Sequence, residues 1–198
     1  MTIGISVLLV GGIIAYLSLV KDATHEHTLP AEMQTAEVTT TDHAADHSEH
    51  GMSVVSEQEF IAKMIPHHEE AVAAATALLE DGTDNMTLTV LAEEIIEAQT
   101  KEIALLRSWY EEWYGAYDGS SVLYAPMMRE MSTSSQSERA RVFLEDMIVH
   151  HEGALAMADS VAAYPIRDEV RTLAKGIIAS QSEEIVLMKD LLATLPEY

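Results

Sequence analysis

The sequence predicts an all-α fold, a four-helix bundle made of two copies of one helical hairpin, with an apolar anchor helix at the N-terminus. Three observations predict it. Apolar residues recur at helical spacing in four stretches, Gly, Pro and Ser clusters separate those stretches, and two sequence blocks occur twice. FIAKMIPHHEEAVAAA from Phe60 returns as FLEDMIVHHEGALAMA from Phe143, and LAEEIIEAQTKEIALL from Leu91 returns as LAKGIIASQSEEIVLM from Leu173. The offsets of the two blocks differ by a single residue.

The first element is the uncharged run 2–20, rich in Ile, Val, Leu and Gly, which is about long enough to cross a bilayer. No basic n-region or small-residue cleavage site precedes Lys21, so residues 1–21 read as an uncleaved anchor, or else as an export segment. Residues 22–55 are Thr, Ala, Glu, Asp and His with few large apolar side chains, the composition of a flexible acidic tether. The bundle is expected over 56–198, with repeats at about 56–115 and 136–195.

Within the bundle, Ser56 and Glu59 form an S-x-x-E capping box that opens a helix whose apolar face is Phe60, Met64, Ala71, Ala75 and Leu78, ending at Gly82. Pro66 removes the hydrogen bond to the Ala62 carbonyl and predicts a kink just before the histidines. Asp84 or Asn85 starts the second helix, with Leu88, Leu91, Ile95, Ile96, Ile103 and Leu106 on its buried face and an end near residues 113–115. Residues 117–137 read as a long connection with one helical turn around Met127 to Met131. Ser135 and Glu138 cap a third helix that breaks at Tyr164-Pro165, and the last runs from about Ile166 to Leu195.

Charge and composition narrow the partners. A formal charge of −22, from 33 acidic and 11 basic residues, disfavours nucleic acid and favours cations. With no cysteine, any soft-metal ligand must be Met or His, and the chain holds 11 and 9 of these. Both halves carry M-x-x-H-H: Met64 with His67 and His68, and Met147 with His150 and His151. Residues at i, i+3 and i+4 share a helix face, so each thioether can converge with its two imidazoles. Met157 extends the second cluster along the same face, where the first half has Ala74. Each second helix carries Gln and Glu three apart, Gln99 with Glu102 and Gln181 with Glu184. These are expected either to accept the free imidazole N–H or to act as oxygen ligands.

Neutral thioethers suit Cu(I), and copper stands high in divalent affinity, so copper is the expected metal, Cu(I) first and Cu(II) also, with zinc as the alternative. Weaker sites are expected in the tether, at His25, His27, His43, His47 and His50, and in the connection, at Met127, Met128 and Met131; the latter can equally pack across the bundle end.

The MIPHHEEAV and MIVHHEGALAMA blocks, with EIIEAQTKEI and GIIASQSEEI, resemble the domain of unknown function 305 family over about Ser56 to Leu195. That resemblance implies a ferritin-like four-helix bundle. It carries Met64, His67, His68, Met147, His150, His151 and Met157 over as copper ligands, with Ala74 standing where the family usually has Met.

The expected role is non-enzymatic: sequestering or relaying copper on the periplasmic or extracellular side, for copper tolerance or homeostasis, with membrane contact through the N-terminal segment and a partner protein for copper transfer. One alternative is a di-metal oxidoreductase drawing on Glu93, Glu94, Glu97, Glu102, Glu183 or Glu184, which the absence of E-x-x-H disfavours. The other is a helical interaction module with incidental histidines.

Overall fold

The computed structural model describes residues 52–131 and 135–196, which form four long helices and, among the described residues, no strand. Helix α1 spans Glu57–Asp81, α2 Met86–Tyr114, α3 Gln136–Val161 and α4 Asp168–Thr194, with a 3-10 turn at Gly119–Ser121. The apolar segment 2–20 and the tether histidines lie outside the described residues; no described helix is long and apolar enough to cross a membrane.

Local chemistry sets the helix ends. Ser56 Oγ accepts the Glu59 N–H, while the Glu59 carboxylate reaches past the cap to accept the Val55 N–H at 2.9 Å. Asn85 Oδ1 accepts from Leu88 N–H, and Ser135 with Glu138 forms a full capping box. Gly82 at φ 81° and Gly115 at φ 94° end α1 and α2 in backbone conformations that side chains disfavour. Pro66 lies inside α1, and the Ala62 carbonyl that it deprives of an N–H accepts the Tyr117 hydroxyl at 3.1 Å. The connection after α2 thus supplies the hydrogen bond that proline removes.

Helix α1 packs on α2 and α3 on α4, and the hairpins meet mainly through α1 and α3. Two apolar clusters fill the bundle ends. One joins the start of α1 (Phe60, Met64), the end of α2 (Leu106), the end of α3 (Met157, Val161) and the start of α4 (Val170, Ile177). The other joins the end of α1 (Ala74, Leu78), the start of α2 (Leu88, Ile95), the start of α3 (Phe143, Met147) and the end of α4 (Ile185, Met188). Successive helices are therefore antiparallel. Between the clusters lies a polar layer: His67, His68, Gln99, His150, His151 and Gln181 are all buried.

The connection departs from expectation. Residues 127–131 form no helical turn; the only short turn among the described residues here is the 3-10 turn at 119–121. A single isolated turn is marginal by itself, and the segment is held instead by Glu70, whose carboxylate accepts the N–H groups of Met127 at 2.7 Å and Met128 at 2.9 Å and so fastens it to α1. Met131 is buried and Met128 half-buried in the cluster around Met147, so these two sulfurs pack at a bundle end. At the opposite end, buried Glu57 binds the Tyr114 hydroxyl at 2.6 Å and the Arg167 guanidinium, tying α1, α2 and the residue that precedes α4.

Candidate metal centre

The two M-x-x-H-H elements, expected as separate clusters, meet at one place. Because α1 and α3 run antiparallel and cross near their histidines, the His67 and His150 rings lie with centroids 3.7 Å apart, tilted by 36°. The antiparallel crossing also sends the methionines to opposite sides of the polar layer. Met64 falls in the first apolar cluster and Met147 in the second. Met157 shares the cluster of Met64 rather than that of Met147, and Ala74 faces the Met147 side. At the repeat-related positions one side therefore has two buried thioethers and the other pairs Met147 with an alanine, with Met131 and Met188 also buried on that second side.

Each outer histidine is held by its own hairpin. A carboxylate oxygen of Glu184 lies 2.6 Å from His151 Nε2, and one of Glu102 stands 2.8 Å from His68 Nε2, in contact although off the line of a hydrogen bond. The Q-x-x-E elements thus face the histidines, as the sequence suggested. Gln99 and Gln181 are buried with their amide oxygens unpartnered in the same layer. Glu93, Glu97 and Glu183 are exposed, away from the buried layer. Glu94 is half-buried, its carboxyl raised by burial and by nearby Glu184 and Glu97.

The inner histidines have no carboxylate so close. Both ring nitrogens of His67 and both of His150 are buried without a hydrogen-bond partner, the nearest carboxylate oxygen to His150 Nε2 being that of Glu70 at 3.5 Å. Burial, then the neighbouring His150, His68 and His151, hold His67 well below the ordinary histidine range. Burial also lowers His150, against the pull of Glu70. Both rings are neutral near pH 7, so each keeps a lone pair available for a metal. Leaving a buried polar group unmet costs about 1–3 kcal/mol, so this pair is a strained feature that packing alone does not reward.

Sequence reasoning missed Glu70, Tyr124 and Gly153. Burial works against the ionised Glu70, but the adjacent His150 ring and hydrogen bonds from Tyr124 and the Met128 and Met127 N–H groups outweigh it and hold the carboxyl at about 2. Burial, with Glu70 beside it, raises the Tyr124 hydroxyl, which remains a donor. Tyr124 also lies edge-on to His67, with centroids 6.0 Å apart. The available signal was the break in the repeat, where Glu70 in the first half matches Gly153 in the second. Among the described residues, no three His, Asp or Glu side chains form a ready-made cage for an ion. The donors that converge here are instead two neutral imidazoles in a layer flanked by thioethers.

Solved structures share this architecture. CopM in its Cu(II)-bound form is 30% identical, with a TM-score of 0.64 over 70% of this chain and 97% of that one. CopM in its Cu(I)-bound form is 30% identical, with a TM-score of 0.61 over 70% of this chain and 96% of that one. A DUF305 protein of Streptomyces coelicolor, named as a candidate secreted protein, is 27% identical, with a TM-score of 0.60 over 68% and 90%. No curated protein matches the chain. The profile of the domain of unknown function DUF305 matches residues 57–192, more than half of the sequence, and the chain therefore belongs to the DUF305 family.

Proposed function

We propose that this protein binds copper outside the cytoplasm and sequesters or relays it through Met and His side chains of the mid-bundle layer. The observation that carries this reading is the pair His67 and His150, neutral, in ring contact and buried with every ring nitrogen unpartnered. A metal ion satisfies such nitrogens, and deprotonated imidazole is the form that binds it.

Met64 and Met157 on one side of the layer and Met147 on the other supply soft donors suited to Cu(I). His68 and His151 complete the ligand set, with Glu102 and Glu184 fixing ring orientation and tautomer. The bound forms of CopM, similar in sequence and fold, support copper as the cargo. The apolar run 2–20 and the Streptomyces relative support a place outside the cytoplasm, and the acidic tether with its histidines is suited to collecting cations for the bundle.

Competition for Cu(I) between the full chain and a chromophoric chelator tests the reading. The wild type is expected to withdraw Cu(I) from the chelator, and the double variant His67→Ala, His150→Ala to bind at least about tenfold more weakly. A wild type that withdraws none, or a double variant that binds as tightly as the wild type, overturns the proposal.

A further inference from the structure

A glycine inside a helix costs about 1 kcal/mol relative to alanine, and Gly153 has no conformational need to be one, since among the described residues positive φ is confined to Gly82 and Gly115. Its neighbours explain it. A Cβ at Gly153 would stand 3.3 Å from His67 Nε2 and 3.3 Å from Met52 Sδ, tighter than ordinary van der Waals contact. The missing side chain therefore makes room for a thioether beside an unpartnered imidazole nitrogen. The sulfur and the nitrogen are no farther apart than twice that distance, a gap that a methionine with three rotatable bonds can close around one ion.

The position of Met52 is built rather than incidental. Val54, two residues on, is buried in the cluster of Met64 and Met157, and its N–H donates to Ser160 Oγ on α3 at 3.0 Å. The Val55 N–H is held by Glu59 on α1. Met52 itself packs half-buried against the same cluster. The strap ahead of α1 is thus fastened to both helices that carry the inner histidines.

The sequence repeat sharpens the contrast. At the position that matches Gly153, Glu70 presents a carboxylate toward His150 Nε2. One inner imidazole has a hard oxygen donor beside it, and the other a soft sulfur donor. We propose that Met52 is a soft-metal ligand that binds Cu(I) together with His67, and that Gly153 is the residue that leaves it space. Met52 lies in the strap that precedes the residues matched by the family profile. The inference rests on the copper reading of the same site.

The test uses the full chain loaded with Cu(I). Chelator competition and copper X-ray absorption are compared for the wild type, Met52→Leu, His67→Ala and, as a control for losing an exposed methionine, Met86→Leu. Met52→Leu conserves volume in a half-exposed strap and leaves folding intact. It is expected to bind Cu(I) at least about tenfold more weakly and to lose one sulfur scatterer, while Met86→Leu matches the wild type. If Met52→Leu binds like the wild type while His67→Ala is weakened, the copper reading stands and Met52 is no ligand. Weaker binding with an unchanged sulfur count also overturns the proposal, because Met52 would then act through packing. A wild type that takes no Cu(I) from the chelator removes the copper reading and this inference with it.

Discussion

His67→Leu should stabilise the metal-free protein while destroying its response to copper. His67 is fully buried, neutral and without a hydrogen-bond partner at either nitrogen. Removing its unmet polar atoms returns about 1–3 kcal/mol. Leucine is close in volume and a better helix former, so the change of shape against His150 and Tyr124 costs less than about 1.5 kcal/mol. The net gain is about 1 kcal/mol, equivalent to a rise of about 2–4 °C in Tm for a chain of this size. Copper reverses the ranking. Free Cu(I) at a thousandfold its Kd stabilises the wild type by about 4 kcal/mol, whereas the variant should respond far less. Thermal unfolding with and without Cu(I) under reducing conditions measures both effects. A metal-free variant less stable than the wild type by more than about 1 kcal/mol would refute the reasoning, since His67 would then have polar partners that its replacement leaves unmet.

Two further predictions concern the frame around the site. Glu70 has a carboxyl held at about 2 against an ordinary 4.5, so its contribution to stability is full above about 4.5 and drains as pH falls toward 2. Denaturant midpoints of the wild type and Glu70→Gln should therefore differ clearly at pH 7 and converge toward pH 3, and a constant gap would show that the carboxylate's charge is not what secures the connection. Tyr117→Phe should cost about 1 kcal/mol in urea unfolding by stripping the Ala62 carbonyl of its donor. In a Pro66→Ala background, where residue 66 regains an N–H for that carbonyl, the same change should cost little; equal costs in both backgrounds would mean that the tyrosine acts through packing alone.

The balance between local and long-range information is visible residue by residue. Ser56, Asn85 and Ser135 mark helix starts because a side-chain oxygen and an N–H three residues on are all that a cap requires. Phe60, Leu78, Leu88 and Phe143 could be placed in the core because burial follows the helical period. Glu102 and Glu184 could be singled out because the Q-x-x-E element is repeated, whereas which histidine each one meets, His68 and His151, is a matter of packing.

By itself, then, the sequence determined four helices, their caps, their buried faces and the residue types able to hold a soft metal, all properties of short stretches of chain. Only the tertiary structure decided that α1 and α3 cross antiparallel at their histidines. That crossing joins two expected clusters into one layer and groups Met157 with Met64. The helical turn expected at 127–131 gave way for the same kind of reason. Glu70, far away in sequence, accepts the Met127 and Met128 N–H groups and fastens the segment to α1, a contact that no local window contains.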